Sequence, residues 1–476
     1  MTSIYESYET VIGLEVHIEL STASKIFCSC STEFGAEPNT QVCPICAGLP
    51  GTLPTLNKRA VELGITAGLA TGCTISPVSY FDRKNYFYPD LPKAYQISQN
   101  DTPLCRDGYV DITVDNASKR IGIERIHLEE DAGKLIHTDN GTLIDYNRCG
   151  IPLIEIVSRP DIRSAEEAKA YLSELRLIML YAGISDCKMN EGSFRCDVNL
   201  SVRKKGDERL GVRTEMKNIN SFTFVGQAIE YESKRQIDLI ESGGRVLMET
   251  RRFDANTGKT QTMRVKESAA DYRFFREPDL LPLRISADTI DSIKSSLPLS
   301  PISLRKKLNE CFGLAEDIIE IIVSRPAMSD YFLRAVEHTS FAQTVANLMV
   351  TEFLGEQAAD EFCPPVSAKQ LSEVAELFGT GEINSSTVKK LLSMLKNTDL
   401  SASELVAQKD MRQINDRDQI RYELDRVLHD TPKLLIDYQN GKLAAKKAII
   451  GKVMAATGGR ANPIALNEIF DSLVSN

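Results

Sequence analysis

Apolar and polar residues follow two different periods along this chain, and the change lies near residue 290. Before about Pro282, apolar residues alternate with polar ones between turns that contain Gly or Asn, which predicts β-strands. After about Leu297, apolar residues recur with helical spacing. Ser or Asp residues stand at capping positions of the clearest helical segments, 385–396 and 416–429. The pattern therefore predicts a strand-rich part followed by a helical part.

The helical part is predicted to divide again. A polar stretch at 400–415 precedes a last segment that, from Lys433 onward, carries six basic residues against three acidic ones. This end is locally basic in an acidic chain. The predicted fold class is α+β, with a strand-rich domain over 1–292, an all-helical domain over 293–408 and a helical tail domain over 409–476.

One face of the first predicted strand carries ionisable groups. In YETVIGLEVHIEL, which begins at Tyr8, every second residue is apolar, and the alternate positions include Glu15 and His17. Because successive side chains of a strand point to opposite faces, Glu15 and His17 share a face. That face is either an ordinary solvated surface or a set of ligands, and this segment alone does not choose between them.

Further carboxylates favour the ligand interpretation. Glu155 stands in the middle of the apolar run IPLIEIV, where an unpaired carboxylate would be costly to bury. The string RIHLEEDAGK crowds three more acids together, and the pattern does not choose between Glu129 and Glu130. A site rich in oxygen ligands with one His suits Mg²⁺ or Mn²⁺ better than zinc. We therefore predict a divalent cation shared by Glu15, His17 and Glu155.

Four of the eleven cysteines form a compact group. Their spacing is C-x-C-x12-C-x2-C, a pattern that fits a tetrahedral zinc ion, and the residues are Cys28, Cys30, Cys43 and Cys46. Four thiolates leave no open position for water or substrate, so the zinc would be structural. The alternative is four unrelated buried thiols.

Cations accompany these groups in three segments. Arg195 lies on the polar face of a strand predicted over 189–203, and Lys217 lies on the polar face of another over 212–218. The segment DRKNYFYPDLPKAYQIS places Lys84 beside aromatic residues, a combination that holds phosphates and stacks bases, or that simply packs as a loop. The string Gly258-Lys259-Thr260 resembles the end of a P-loop, but the upstream Gly is missing, and a hairpin turn is predicted.

The charge balance limits the classes of function. The 476 residues include 56 Lys and Arg against 66 Asp and Glu, which excludes a histone-like binder of polyanions while allowing local basic patches. The N-terminal segment lacks the basic start and apolar stretch of a signal peptide, and no apolar run is long enough to cross a bilayer. We therefore expect a cytoplasmic protein without a membrane contact, whose cysteines are free, metal-bound or catalytic.

Long strings of residues resemble one family, the B subunit of the bacterial glutamyl-tRNA(Gln)/aspartyl-tRNA(Asn) amidotransferase. The similarity spans nearly the whole chain. Besides the cysteine quartet, the strings that carry it are ETVIGLEVHIEL, FDRKNYFYPDLPKAYQISQ, RIHLEEDAGK, IPLIEIVSRPDI, EGSFRCDVNLSVR, EMKNINS, ETRRFD and GKVMAATGGRANP.

The resemblance implies one polypeptide of a ligase, with a catalytic cradle, a zinc knuckle, a helical domain and a tRNA-binding tail. Such an enzyme takes a tRNA wrongly charged with Glu or Asp, phosphorylates the side-chain carboxylate with ATP and replaces the phosphate by ammonia. A glutaminase partner, the amidase-type A subunit, would release the ammonia. The small C subunit would complete a heterotrimer.

The resemblance also implies cofactors and residue roles. ATP and Mg²⁺ serve the reaction, and Zn²⁺ is structural. The implied Mg²⁺ ligands are Glu15, His17, Glu130 and Glu155. Phosphoryl transfer also requires cations near the phosphate oxygens, and we assign that role to Lys84, Arg195 and Lys217.

Two other functions compete with this interpretation. A non-enzymatic zinc-ribbon assembly factor that binds RNA would use the acidic groups only as a structural ion site. A self-contained glutamine amidotransferase would need a nucleophile that releases ammonia, and the sequence shows no Gly- and Ser-rich amidase stretch. The sequence does not choose between Glu-tRNA(Gln), Asp-tRNA(Asn) or both as substrates.

Overall fold

The computed structural model describes residues 4–265, 272–355, 362–396 and 398–474. The chain divides into two compact units, Met1–Pro301 and Ile302–Asn476. Strands lie in the first unit and helices fill the second, so the predicted α+β class is confirmed. The boundary predicted at 292 falls inside the first unit, because Ile290 and Ile293 pack on that unit's core.

The first unit is built mainly from strands. Its described strands are β1 Tyr8–Glu19, β2 Thr74–Ile75, β3 Val78–Ser79, β4 Asp82–Asn85, β5 Tyr95–Ser98, β6 Cys105–Val114, β7 Ala117–Glu130, β8 Lys134–Thr138, β9 Gly141–Asp145, β10 Pro152–Ser158, β11 Phe194–Lys204, β12 Thr214–Lys217, β13 Glu249–Asp254, β14 Lys259–Val265, β15 Phe275–Arg276 and β16 Leu283–Arg284. A short 3-10 helix, Ile4–Ser7, precedes them, and the α-helices are α1 Lys58–Ala70, α2 Ala165–Tyr181, α3 Phe222–Glu241 and α4 Ala287–Ser295.

A nine-stranded sheet organises this unit, in the order β14-β13-β12-β11-β1-β10-β7-β6-β2. Strand β1 pairs antiparallel with both β10 and β11, which places it near the centre of the sheet. Its apolar residues are buried in one core with residues of α2 and α3, such as Leu172 and Val225. Since one face of β1 is buried under helices, its alternate residues lie on the opposite face, where the ionisable groups are found.

Two glycine-containing segments have simple structural roles. Gly64 and Gly68 lie on one face of α1. A Cβ atom added to Gly64 would lie 2.7 Å from a methyl carbon of Leu104, and one added to Gly68 would collide with Cys105. These glycines therefore permit close packing of the helix. The segment that mimics a P-loop forms the predicted turn between β13 and β14, where Asp254 pairs with Lys259 and Gly258 has a φ of +64°.

The second unit consists of helices. They are α5 Pro301–Phe312, α6 Glu316–Val323, α7 Pro326–Val336, α8 Ala342–Leu348, the π-helical turn Met349–Phe353, α9 Ala368–Gly379, α10 Ser385–Leu395, α11 Ala402–Gln408, α12 Arg417–Asp430, α13 Pro432–Gln439, α14 Leu443–Ala456 and α15 Pro463–Val474. Capping boxes at Ser367 and Ser401 begin α9 and α11. The helices of the tail share a hydrophobic cluster that includes Leu424, Ile449 and Phe470. The division predicted at 408 stays a prediction.

Among the described residues, none of the helices is long and apolar enough to span a membrane.

Candidate active site

The register of the central strands brings distant ionisable residues together. His17 of β1 lies opposite Glu155 of β10 on one side and opposite Arg195 of β11 on the other. Farther along, Glu155 lies opposite His127 of β7. Directly paired residues of neighbouring strands point to the same face, so this face of the sheet collects groups that are far apart in sequence.

The first group, the His17 cluster, consists of His17, Glu129 and Glu155. The Nε2 atom of His17 lies 3.4 Å from Glu129 Oε1 and 3.3 Å from Glu155 Oε2. Both carboxylates are buried. Burial disfavours the imidazolium, but the hydrogen bond to Glu155 and the two negative charges outweigh it and raise the pKa of His17 to about 9. The three donor atoms lie within 4.8 Å of one another, so a single ion can contact all of them.

His127 borders this cluster. Its Nε2 atom lies 3.7 Å from Glu129 Oε2 and 3.6 Å from Glu155 Oε2. Its Nδ1 atom is buried without a hydrogen-bond partner in the described part of the chain. His127 therefore lies in direct contact with both carboxylates of the cluster.

Glu15, which was predicted to share one cation with His17 and Glu155, lies in a second group, the Glu15 cluster. This cluster consists of Glu15, Asp197 and Glu215, whose donor oxygens also lie within 4.8 Å of one another. Asn199 donates a 2.9 Å hydrogen bond to Glu15 Oε1, and the Thr250 hydroxyl donates one of 2.9 Å to Glu215 Oε2. Burial and the charges of nearby carboxylates raise the pKa of Glu15. Carboxylates held so close repel one another, and a divalent cation would relieve the repulsion.

The three predicted cations occupy different places. Burial would lower the pKa of Lys84, in β4, but the charges of Glu129 and Glu155 raise it. Lys217 belongs to the Glu15 cluster, where it bonds Asp197 and lies 3.0 Å from Glu215. Arg195 instead donates a 2.7 Å hydrogen bond to Asp131, which is buried. Lys84 and Lys217 thus border the acids, whereas Arg195 is held by a carboxylate of its own.

The structure does not bring Glu130 to the His17 cluster, and Glu129 is there in its place. Glu130 pairs with Pro152 and points to the opposite face of the sheet. There Lys93 Nζ lies 2.5 and 2.6 Å from its two oxygens, and the Ile97 N–H donates a 2.9 Å hydrogen bond to it. Adjacent residues of a strand cannot share a face, so the register that aims Glu129 at His17 aims Glu130 away.

The four predicted cysteines lie together in the loop after β1, and their sulfur atoms can all reach one ion. Cys43 and Cys46 Sγ atoms are 3.9 Å apart, close to the roughly 3.8 Å edge of a tetrahedron with Zn–S bonds of about 2.3 Å. A hydrogen bond from Cys28 lowers the pKa of Cys46 to about 4. The Lys25 ammonium is fully buried 3.7 Å from Cys46 Sγ, where it stabilises a thiolate. The group can hold a metal ion and is compatible with zinc.

Two cavities border the Glu15 cluster. One, of about 210 Å³, is lined mainly by small and apolar residues such as Gly13 and Leu210, together with the charged Glu124 and Arg213, and it reaches Glu15 and Asn199. The other, of about 530 Å³, is lined by Glu215, by cations and by aromatic rings, namely Lys84, Tyr86, Tyr88, Lys217, Arg264, Tyr272 and Arg273. Small molecules can therefore approach the Glu15 cluster from two cavities.

The sequence analysis predicted a polar face for each of the strands that carry Asp197 and Glu215, but it did not identify these two carboxylates as ligands. Each is one carboxylate among several on its strand, and nothing local distinguishes it. The pairings Glu15 with Asp197 and Asn199 with Glu215 bring them beside Glu15. The alternation of apolar and polar residues identified the polar face of each strand. Which of these faces are neighbours depends on the order of the strands in the sheet, and the sequence did not give that order.

Comparisons with known proteins agree with this architecture. Residues 10–291 match the model of the GatB/GatE catalytic domain, and residues 330–474 match the model of the GatB domain. Proteins named as the B subunit of aspartyl/glutamyl-tRNA(Asn/Gln) amidotransferase are similar over nearly their full length. The one from Caldicellulosiruptor saccharolyticus is 49% identical over 471 residues, which is 97% of this chain and 98% of that protein. The one from Thermoanaerobacter pseudethanolicus is 48% identical over 472 residues, 98% and 99% of the two chains. Together these matches show that the chain belongs to the GatB/GatE family.

Proposed function

We propose that this chain is the B subunit of a tRNA-dependent amidotransferase, a ligase that uses ATP to amidate a glutamyl or aspartyl group carried on tRNA. Relatives that carry that name match this chain over nearly their whole length. The single observation that carries the chemistry is the pair of acid clusters on one sheet face, with Lys84 and Lys217 beside them. A non-enzymatic assembly factor has no use for two such clusters next to an open cavity.

The reaction explains why the site needs cations. A carboxylate oxygen of the charged amino acid attacks the γ-phosphorus of ATP, ADP leaves, and an acyl phosphate forms. Ammonia then attacks the acyl carbon, phosphate leaves, and one proton of the nitrogen is lost to give the amide. Phosphoryl transfer depends mainly on positioning and on neutralising charge, and a protein nucleophile is not required.

The donor sets fit divalent cations. His17, Glu129 and Glu155 would hold one Mg²⁺ and Glu15, Asp197 and Glu215 a second, since hard oxygen ligands with one imidazole suit that ion. Bound there, Mg²⁺ would neutralise phosphate oxygens. Lys84 and Lys217 add positive charge on the side of the larger cavity. Arg195 acts indirectly, by holding Asp131 at the end of β7.

The two cavities suggest how the substrates divide the site. We assign the smaller cavity, beside Glu15, to the nucleoside of ATP, because its small and apolar lining suits a base. The larger cavity, with its cations and tyrosines, suits the aminoacylated 3′ end of the tRNA. In this arrangement the triphosphate would lie across the Glu15 cluster, between the two cavities.

The proposal extends to partners and location. An amidase-type glutaminase, the A subunit, would supply the ammonia, and the small C subunit would complete the heterotrimer. The helical tail, basic from Lys433 onward, would contact tRNA phosphates. We place the complex in the cytoplasm, because charged tRNA is made and used there. Zinc at the cysteine quartet would stabilise the fold.

The test uses the reconstituted complex with mischarged tRNA and measures ATP cleavage and amide formation. Glu155→Gln keeps the size of the side chain and should remove both activities, while glutaminase activity of the partner survives. Glu62→Gln, on the partly exposed surface of α1, is the matched control and should behave as the parent. Parental ATP cleavage by Glu155→Gln would refute the site, and a parent complex that never amidates Glu-tRNA or Asp-tRNA would refute the function.

A further inference from the structure

Three consecutive aromatic residues, Tyr86, Phe87 and Tyr88, form a loop beside the larger cavity. Tyr86 is packed, with its ring centroid 6.2 Å from that of Tyr272 in an edge-to-face contact. Phe87 is 92% exposed and Tyr88 is 54% exposed. A packed aromatic loop therefore accounts for Tyr86 but not for Phe87, whose ring contributes almost no burial to this chain. Phe87 and the neighbouring Tyr88, which lines the cavity, together leave an aromatic surface at its rim that this chain does not cover.

The surroundings of this loop point to a nucleic acid. Lys84 Nζ lies 5.0 Å from the centroid of the Tyr272 ring, and Arg264 and Arg273 line the same cavity. Sites for single-stranded nucleic acids combine cations that follow the backbone with aromatic rings on which bases stack. Every base has a flat face, so an exposed ring can bind one without any hydrogen bond.

We propose that Phe87 is a base-stacking residue for the unpaired 3′ end of the tRNA substrate. The inference rests on the proposed function and deepens it, because it names a contact that positions the substrate. Phe87 follows Lys84 by three residues, at most about 10 Å of chain. With the terminal nucleotide in the cavity and its amino acid at the acid clusters, Phe87 at the rim meets the base of a preceding nucleotide.

Affinity measurements on the assembled complex test the stacking. Phe87→Ala should raise the KM for charged tRNA by about 5- to 150-fold, the range expected for loss of one stacked base, with kcat and glutaminase activity within about twofold of the parent. Phe87→Leu keeps an apolar side chain but not a flat ring, and should raise the KM for charged tRNA as Phe87→Ala does. Phe87→Tyr should retain the parental KM. Leu281→Ala removes a residue that is 88% exposed and lies outside the lining of this cavity, and serves as the control.

The dependence on salt separates stacking from electrostatic attraction. Stacking involves no counterion release, so the log of tRNA affinity against log salt should keep the parental slope in Phe87→Ala. Arg264→Gln, which removes a cation from the same cavity, should reduce that slope by about 0.7 for a single-stranded contact. A changed slope in Phe87→Ala would contradict a stacking role.

The chain contains no Trp, so Phe87→Trp introduces a unique fluorescent reporter in the full chain. Charged tRNA and uncharged full-length tRNA should both quench it, whereas uncharged tRNA that lacks its unpaired 3′ nucleotides should not. An unchanged KM in Phe87→Ala overturns the inference. So does quenching by the amidase partner instead of tRNA, which would make Phe87 part of a protein interface. Failure of the parent itself to bind charged tRNA would refute the proposed function as well.

Discussion

Glu129 and Glu130 are neighbours in β7 but point to opposite faces of the sheet, so the same substitution should have different consequences at the two positions. Glu129 belongs to the His17 cluster. Glu130 forms an ion pair with Lys93 in which both side chains are almost fully buried, 3% and 13% exposed. Replacement of each by Gln preserves size and removes only the charge. The pair of variants therefore tests the strand register and the site together.

Glu130→Gln should mainly reduce stability. It leaves the Lys93 ammonium buried without its carboxylate, and breaking a buried ion pair in this way costs about 3–5 kcal/mol. The amide oxygen can still accept the hydrogen bond from the Ile97 N–H. We therefore expect the free energy of unfolding to fall by about 3 kcal/mol, the lower end of that range. The folded fraction of the variant should retain tRNA-dependent ATP cleavage.

Glu129→Gln should mainly reduce catalysis. Without metal, it relieves repulsion from Glu155 but loses the attraction to His127, to His17 at 3.4 Å and to Lys84. These attractions outweigh burial and repulsion and hold the pKa of Glu129 below its ordinary value, so some loss of stability should accompany the loss of activity. Loss of a group that only orients a metal ligand lowers metal affinity or activity about 10- to 100-fold, so loss of a direct ligand should lower ATP cleavage by at least about 100-fold.

Two assays decide between these outcomes. Urea unfolding in EDTA reports stability, and ATP cleavage with mischarged tRNA at saturating Mg²⁺ reports the phosphoryl step, separately from ammonia delivery. If Glu130→Gln abolished ATP cleavage at unchanged stability while Glu129→Gln remained active, the placement of the ligand by the sheet would be refuted.

The remaining predictions concern the metal, the knuckle and the tail. Nearby carboxylates outweigh burial and raise the pKa of His17 to about 9, so its imidazole is protonated at neutral pH and must lose that proton to bind a metal ion. The affinity for Mg²⁺ should therefore rise by up to about tenfold per pH unit between about pH 7 and 9. Calorimetry of Mg²⁺ binding in buffers of different ionisation enthalpy should detect about one released proton. Metal analysis should find one zinc per chain, and Cys43→Ser should lose zinc and lower solubility or thermal stability more than the specific rate of the folded fraction. Lys447 and Lys452 are exposed, and their replacement by Gln should weaken tRNA binding and reduce the slope of log affinity against log salt by about two. The ammonium of Lys442 is paired with Asp437 at 2.9 Å, so Lys442→Gln should change that slope less.

The sequence alone identified the pieces of the site whose evidence is local. Alternation in β1 placed Glu15 and His17 on one face, and a carboxylate within an apolar run identified Glu155. The cysteine spacing predicted a cluster that the fold does assemble. These features can be recognised in the sequence because strand periodicity and ligand spacing depend on only a few consecutive residues.

Only the tertiary structure decided which remote groups meet. The choice of Glu129 over Glu130 depends on the pairing of Glu155 with His127, and a shift by one residue would reverse it. The second acid cluster exists because β1, β11 and β12 are neighbours in the sheet. Arg195 carried the charge expected of a phosphate ligand, yet Asp131 holds it. Strand order and register are set by packing across the whole core, so the sequence of a single strand does not contain them.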